Sequence, residues 1–202
     1  RPEQRSDIAR QAVQARWAKV KGTFSEEWQV SKSLDEKVGS IIWCTRSKAV
    51  SIFYHGDCLF VLRHDIQPDS VDLIYLDPPF FTGKVQKGTW QPGAMEISYE
   101  DSRQFWADKA EAMREKAPEW LKHIALKQPD FASYLYYMME RLRACHHVLK
   151  PTGSIYLHCD YRASHYLKMI LDEIFGYEKF RNEIVWCYKS PGRATKYFKR
   201  KH

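Results

Sequence analysis

The sequence predicts an α/β domain built around a parallel sheet. Apolar runs rich in β-branched and aromatic residues indicate buried strands over residues 51–54, 71–76, 154–158 and 184–188. Helical patterns lie between these runs, with an amphipathic helix over 131–149 and another helix opened by Asp160. At 202 residues the chain is long enough for one domain with a substantial core.

The chain divides into an extension, a main domain and a tail. Residues 1–50 are predicted to be an N-terminal helical and basic extension, with a short basic helix over 1–22 and no clear pattern after it. Residues 51–190 carry the main domain. Residues 191–202 form a basic tail.

An insertion interrupts the main domain over residues 81–130. It has no strand signal, begins with a part that contains several glycines, and continues as predicted helices over 102–113 and 120–126. A connection of this length is typical of a lid or of a partner-binding insertion. We expect the glycine-containing part to move over a bound ligand, and Trp106 and Trp120 to anchor the helices in the core rather than enter a groove.

The charge of the chain suits a polyanionic partner. The formal net charge is +7 and the isoelectric point is near 9.1, although many proteins that bind no nucleic acid carry a similar surplus. Basic residues without an acidic one, interleaved with aromatic rings, lie near the end of the sequence, and we expect phosphate contacts from Lys189, Arg193, Lys196, Lys199 and Arg200. A solvated tail is an equally good interpretation of the same residues.

The sequence gives no sign of a membrane span, a secretory signal or a metal site. No stretch is long and apolar enough for a bilayer, so a soluble, intracellular (cytoplasmic) protein is expected. The five cysteines lack CxxC spacing, which argues for buried free thiols and against a disulfide framework or a zinc site. His146 and His147 are adjacent on a predicted helix and therefore point in different directions.

The most informative segment is VDLIYLDPPF, residues 71–80. Its apolar run predicts a buried strand that stops at Asp77, and the carboxyl ends of parallel strands are where α/β sheets bind ligands. Pro78 and Pro79 fix the backbone after the carboxylate, and Phe80 places a ring beside it. A rigid acceptor next to a ring suits the binding of a flat group that carries an amine. The alternative interpretation of the segment is a surface turn after a core strand.

This segment resembles motif IV of the amino-methyltransferases that act on DNA, in which Asp-Pro-Pro-aromatic is typical of enzymes that methylate adenine N6. The resemblance implies that Asp77 and the Pro78 carbonyl bind the amine, with Pro79 in the same catalytic motif, and that Phe80 stacks on a flipped-out adenine. Enzymes acting on cytosine N4 more often begin the motif with Ser. Enzymes acting on cytosine carbon 5 use a Pro-Cys pair, which this chain lacks.

The runs LKPTGSIYLHCD and FRNEIVWCYKS resemble motifs V to VIII of the same methyltransferases, in the permuted (beta-type) order in which motif IV comes before the cofactor loop. The resemblance covers residues 51–190 and implies a Rossmann-like sheet that binds S-adenosylmethionine. The implied cofactor contacts are Asp57, Cys58, Asp77, His158 and Asp160. A turn cap at Asp57, a strand-end hydrogen bond at His158 and a helix cap at Asp160 are alternative interpretations.

One element of the family has no match in this sequence. The Asp-Pro-Phe-x-Gly-x-Gly loop that holds the methionine part of the cofactor is absent, and in the permuted order it follows a target-recognition segment. We therefore expect an N-terminal fragment of a longer enzyme, or a protein whose remaining half is disordered or supplied by another chain. Its sheet would be incomplete, so this piece alone should aggregate, dimerise or bind its complement, and it should bind S-adenosylmethionine weakly or not at all.

The function that the resemblance favours is DNA adenine-N6 methylation in a bacterial or phage restriction-modification system. Methylation of cytosine N4 or of an RNA base is an alternative, because the grip on an amine is similar. A non-catalytic nucleic-acid-binding relic is another, but such a relic would not need the amine grip that residues 77–80 retain.

Overall fold

The computed structural model of the chain describes residues 28–31, 38–46, 49–88 and 97–186. They fall into two compact units, one ending at Gln67 and the other beginning at Pro68. The predicted helix over residues 1–22 lies outside the described residues. No helix in these ranges has the length and apolar character needed to cross a bilayer.

The first unit is a three-stranded antiparallel sheet followed by a short helix. Its strands are β1 (Trp28–Ser31), β2 (Val38–Arg46) and β3 (Ala49–Gly56), in the order β1-β2-β3, and the helix is α1 (Cys58–His64). The predicted strand over residues 51–54 is confirmed as part of β3, but its expected place in a parallel sheet is wrong. Only two residues separate β2 from β3, and a parallel connection needs a much longer crossover.

The second unit is built on a parallel pair of strands. β4 (Val71–Leu76) pairs with β7 (Leu149–Leu157), with Ile74 opposite Ile155 and Leu76 opposite Leu157. Both strands were predicted, and β7 begins earlier than expected. The chain is therefore a mixed α/β protein with a small parallel sheet.

The insertion contains strands that the sequence pattern did not predict. β5 (Gln86–Gly88) and β6 (Ile97–Tyr99) form a short antiparallel pair. Three helices follow, α2 (Arg103–Ala107), α3 (Ala110–Arg114) and α4 (Glu119–Ala125). The single helix predicted over 102–113 is thus two helices, whereas the helix predicted over 120–126 is confirmed as α4.

The core of the second unit forms around α5 (Pro129–Val148), a helix of 20 residues. Its predicted apolar face is buried, and it packs against α6 (Ser164–Phe175), which contributes Leu167 and Ile170, and against Leu121 of α4. Trp106 is also buried and Trp120 packs against the same cluster, so both tryptophans anchor the inserted helices as predicted. A turn at 161–163 separates Asp160 from α6, and a 3₁₀ helix (Tyr177–Lys179) follows α6.

The described residues cover the β4–β7 sheet on one face only. Ile74 and Ile155 are partly buried, and Ile155 packs against the core cluster, whereas Leu73, Tyr75 and Tyr156 are 59%, 63% and 46% exposed on the other face. The predicted strand over 184–188 is wrong for residues 184–186, which form no regular secondary structure and have exposed side chains, and residues 187–188 lie outside the described residues. A β-prone segment forms a stable strand only when a neighbour shares its backbone hydrogen bonds, and no described strand pairs with this one.

Candidate active site

Asp77 lies at the carboxyl end of β4, where the sequence predicted it. The residue directly follows the strand, and its side chain is 64% exposed. The backbone N–H of His158, just past the end of β7, donates to the carbonyl of Leu76 at 2.8 Å. The parallel pairing therefore brings Asp77 and His158 together at one edge of the sheet.

His158 contacts both functional parts of the Asp-Pro-Pro-Phe segment. Its Nδ1 lies 3.2 Å from Oδ1 of Asp77, and its ring meets the Phe80 ring edge-on with centroids 5.1 Å apart. A proton on Nδ1 would be donated to the carboxylate, which restricts how the carboxylate can rotate. The described residues offer no hydrogen bond to the second oxygen of Asp77, so that oxygen is open to a ligand.

Asp77 and Phe80 open onto a cavity of about 650 Å³ within the second unit. Its lining consists of five aromatic rings, two carboxylates and two prolines: Asp77, Pro78, Pro79, Phe80, Tyr99, Glu100, Phe105, Trp106 and Tyr137. Ligand pockets in proteins measure roughly 300–1,000 Å³. None of the described lining residues is Lys or Arg, so the cavity favours a flat ring that is neutral or positively charged over an anion.

The backbone at Phe81 explains how two consecutive phenylalanines serve different purposes. Phe81 has a φ of +56°, a left-handed conformation that is uncommon for a bulky residue. Its ring is buried against Phe131 and Tyr134, with centroids 5.1 and 5.5 Å away, whereas Phe80 lines the cavity. A strained conformation of this kind costs on the order of 1–3 kcal/mol, which the burial of the Phe81 ring offsets.

Comparison with known families places this geometry in context. The model of the DNA methylase family matches residues 71–202, well over half of the chain, including β4, the residues that follow it and β7. The chain belongs to the DNA methylase family. The residues around the cavity are therefore part of a DNA methylase domain.

Three relatives of this DNA methylase domain are modification enzymes. The StyLTI Mod subunit of a type III restriction-modification enzyme from Salmonella typhimurium strain LT2 is 35% identical over 142 residues, which are 69% of this chain and 20% of the relative. The EcoP15I Mod subunit from Escherichia coli is 27% identical over 65% of this chain and 20% of the relative. The DNA adenine methyltransferase YhdJ from Escherichia coli strain K12 is 26% identical over 70% of this chain and 35% of the relative. The matched residues thus span about a fifth of the length of the type III subunits.

A buried carboxylate in the DNA methylase domain contacts the cavity lining through Trp106. Asp101 is fully buried and accepts hydrogen bonds from the backbone N–H and the hydroxyl of Thr82, both at 2.7 Å. It also accepts one from Nε1 of Trp106 at 2.9 Å. The sequence analysis did not identify Asp101 or its neighbours Tyr99 and Glu100, and the only local signal there was Ser102, whose hydroxyl caps α2.

Tyr99 remains a neutral hydrogen-bond donor over a wide pH range. Burial, followed by the negative charges of Asp101 and Asp77, raises the pKa of Tyr99 above its usual value. Since Tyr99 lines the cavity, its hydroxyl can donate to an acceptor on a bound ring. The cavity lining therefore combines the phenol of Tyr99 with the carboxylate of Glu100.

The predicted cofactor contacts Asp57 and Cys58 lie in the first unit of the chain. Asp57 is the N-cap of α1, with its carboxylate 2.9 Å from the backbone nitrogen of Leu59, which matches the capping interpretation. It borders a hollow of about 170 Å³ with Leu59, Phe60, Arg63 and His64. A contact between Asp57 or Cys58 and the cofactor stays a prediction.

The thiols differ in their environments. Cys145 is buried, as the sequence predicted, and burial raises the pKa of the partly buried Cys159. Cys58 is exposed, so the expectation of a buried thiol is wrong there. The reason is local, because Cys58 occupies the first turn of a short helix whose only buried residue is Val61.

Asp160 does not line the cavity. Its side chain is buried and accepts from the backbone N–H of Arg162 at 2.9 Å while pairing with the Arg162 guanidinium. Its carbonyl accepts from the backbone N–H groups of Ala163 and Ser164 in the turn that leads into α6. The N-cap of α6 is Ala163, so the expected helix cap at Asp160 is wrong. The basic residues expected to contact phosphates, from Lys189 to Arg200, lie outside the described residues.

Proposed function

We propose that the protein transfers a methyl group from S-adenosylmethionine to the N6 amine of adenine in DNA. The observation that carries the proposal is the exposed carboxylate of Asp77 at the rim of an aromatic cavity, within residues that match the DNA methylase family. YhdJ, whose name states adenine as its target, supports the choice of base. We also propose a Rossmann-like arrangement for the complete domain, on the basis of the parallel pairing of β4 with β7.

The chemistry requires activation of a poor nucleophile. The lone pair of an exocyclic amine is delocalised into the ring, so the nitrogen must become pyramidal before it can attack. Asp77 and the carbonyl of Pro78 would accept the two N–H hydrogens of the amine, and these bonds strengthen as positive charge develops on nitrogen. The carboxylate of Asp77 would then take up the proton that the amine loses.

The aromatic lining would hold the base outside the duplex. The amine of a base inside the stack cannot reach Asp77 at the rim of the cavity, so the adenine must be flipped out. Phe80 would stack on it, and stacking of a base on an aromatic side chain contributes about 1–3 kcal/mol. The prolines before Phe80 keep the ring and the carboxylate at a fixed separation.

The described residues fit the methyl donor in charge and in character. Bound S-adenosylmethionine supplies an electrophilic methyl group on a positively charged sulfur. Two carboxylates and five aromatic rings line the cavity, and such a surface attracts a sulfonium cation. We include Asp57, Cys58, His158 and Asp160 in the proposal as candidate cofactor contacts, together with Asp77.

DNA binding would rest on residues that follow the described part of the chain. The proposal assigns phosphate contacts to Lys189, Arg193, Lys196, Lys199 and Arg200. The exposed face of the β4–β7 sheet, with Leu73, Tyr75 and Tyr156, supports the further proposal that more sequence of the same protein, or a second copy, covers it.

The test is methyl transfer by the full-length protein to unmethylated DNA of mixed sequence. The DNA is incubated with isotope-labelled S-adenosylmethionine, digested to nucleosides and analysed by mass spectrometry. N6-methyladenine is the expected product, and Asp77→Ala should abolish it without loss of DNA binding. Asp72→Asn is the matched control, because Asp72 is an exposed carboxylate on β4 that pairs with Lys150 and lies outside the cavity.

Other outcomes would overturn the assignment. N4-methylcytosine as the product would transfer the proposal to the cytosine class, and methylation of RNA alone would exclude a DNA substrate. If Asp77→Ala methylates at the wild-type rate, the carboxylate of Asp77 does not bind the amine.

A further inference from the structure

The cavity has two walls that come from separate parts of the sequence. The first wall consists of residues 77–80, after β4, and the second consists of Tyr99, Glu100, Phe105 and Trp106, around the start of α2. A flat base can be held between them only if their separation is fixed. Among the described residues, the backbone contacts between the segment after the first wall and the second wall are the β5–β6 pairing, with Gln86 opposite Tyr99, and an isolated bridge from Gly83 to Ser102.

Asp101 connects these walls through side-chain hydrogen bonds. Thr82, two residues after Phe80, donates both its N–H and its hydroxyl to one carboxylate oxygen, at 2.7 Å each. Trp106, which lines the second wall, donates its indole N–H to the other oxygen at 2.9 Å. The Asp101 carboxylate therefore bonds to Thr82, just after the first wall, and to the Trp106 ring of the second wall.

The burial of Asp101 makes this connection rigid. Asp101 has no exposed surface and forms no ion pair with the described residues. The hydrogen bonds from Thr82 and Trp106 therefore take the place of the water that would hydrate an exposed carboxylate. The chain on either side is also restrained: Phe81 is anchored in the core in a left-handed conformation, and Tyr99 belongs to β6. A shift of Thr82 or of Trp106 away from Asp101 would therefore break a charge-assisted hydrogen bond.

We propose that Asp101 is a positioning residue that sets the separation of the two aromatic walls, and thereby the alignment of the flipped base with Asp77. The inference rests on the proposed function, since it concerns the same cavity. Asp101 itself is fully buried and is not among the residues that line the cavity. Its effect is transmitted through Thr82 and Trp106.

The test compares three variants of the full-length enzyme in the methyl-transfer assay. Asp101→Asn should lower kcat on the order of 100-fold, the effect of a misplacement of about 1 Å, while the KM for DNA stays near that of the wild type. Thr82→Val removes the hydroxyl bond to Asp101 and the 2.6 Å hydrogen bond that the hydroxyl accepts from Nε2 of Gln86, and it should lower kcat about 10-fold, as expected for the loss of a hydrogen bond to a charged group. Thr82→Ser keeps both bonds and should retain wild-type kcat.

A stability control separates positioning from folding. Leu142→Ala removes a buried side chain of α5 that does not line the cavity, so it should lower the melting temperature and leave kcat and KM of the folded enzyme unchanged. A second readout is the fluorescence of 2-aminopurine. The wild-type enzyme is first used to identify the methylated position in the DNA, and 2-aminopurine is then placed at that position. Asp101→Asn should still flip the base but hold it loosely, which appears as a larger and more mobile signal than in the wild type.

The outcomes distinguish this inference from the proposed function. If the wild type methylates adenine and Asp101→Asn and Thr82→Val keep its kcat, the positioning role is wrong and the function stands. If Asp101→Asn does not fold, Thr82→Val against Thr82→Ser decides, and equal kcat values for these two would overturn the inference. If the wild type makes no N6-methyladenine, the proposed function itself fails.

Discussion

The buried hydroxyl of Tyr134 allows a stability prediction that can be worked out from the structure. Tyr134 lies on α5 with no exposed surface, and its hydroxyl has no hydrogen-bond partner among the described residues. A buried polar group without a partner costs about 1–3 kcal/mol. Tyr134→Phe removes the hydroxyl and keeps the ring contacts, so we expect it to stabilise the second unit by about 1 kcal/mol or more, which raises the melting temperature by roughly 2–4 °C per kcal/mol in a chain of this size.

The same side chain predicts a loss of stability at alkaline pH. Burial, followed by nearby Cys159 and Asp101, raises the pKa of Tyr134 far above its ordinary value of 10.0. Above the ordinary pKa of 10.0, the unfolded chain loses the phenolic proton while the folded chain keeps it. The unfolded state then binds fewer protons, so the free energy of unfolding falls as pH rises. One such group contributes a slope of about 1.4 kcal/mol per pH unit.

The assay is urea unfolding followed by tryptophan fluorescence at pH 8 to 11. Trp106 is a suitable reporter because its ring lies 5.3 Å from that of Tyr134. We expect the wild type to lose stability faster than Tyr134→Phe above the ordinary tyrosine pKa, with Tyr99→Phe as a control for a less buried phenol. A Tyr134→Phe variant that is less stable than the wild type at pH 8, with the same slope at high pH, would refute the reasoning.

Three further predictions concern the cavity and the core. Phe80→Leu should weaken retention of the flipped base by about 1–3 kcal/mol in 2-aminopurine titrations; an unchanged affinity would remove Phe80 from the stacking role. His158→Asn should lower kcat with little change in the KM for S-adenosylmethionine, because His158 holds Oδ1 of Asp77 at 3.2 Å; a change in that KM alone would instead favour cofactor binding. Leu121→Ala should destabilise the chain by about 2–5 kcal/mol in urea unfolding, since Leu121 is fully buried in the core cluster, and a loss below 1 kcal/mol would contradict that packing.

The local sequence pattern was sufficient to predict the helices and strands that bury one continuous face. The helix over 131–149 and the strands over 71–76 and 154–158 were predicted because their apolar spacing is set by burial against the same core. Asp77 was also predictable, since a strand that stops at a carboxylate and two prolines is a purely local signal. The contact between Asp77 and His158 follows from parallel pairing of those two strands.

The remaining parts depend on pairing between distant residues, which leaves no local pattern. β5 and β6 have three residues each, too few to show an alternation, and β3 joins an antiparallel sheet whose first strands carried no clear signal. The second wall of the cavity was missed for the same reason: Asp101 is bonded to Thr82, 19 positions away, and nothing near either residue indicates the bond. Residues 184–186 show the opposite case, in which a strong strand propensity has no described partner to satisfy it.

The left-handed residue after the Asp-Pro-Pro-Phe segment has a consequence for how this part of the gene can vary. The turn at Phe81 sends one ring outward and the next one inward, so the count of residues between Pro79 and Thr82 decides which ring goes where. A one-codon insertion or deletion there would shift the residues relative to the turn, so that either the cavity or the core would lose its phenylalanine ring. Point changes at Phe80 can alter activity with the fold intact, but changes in length at this position would damage both together.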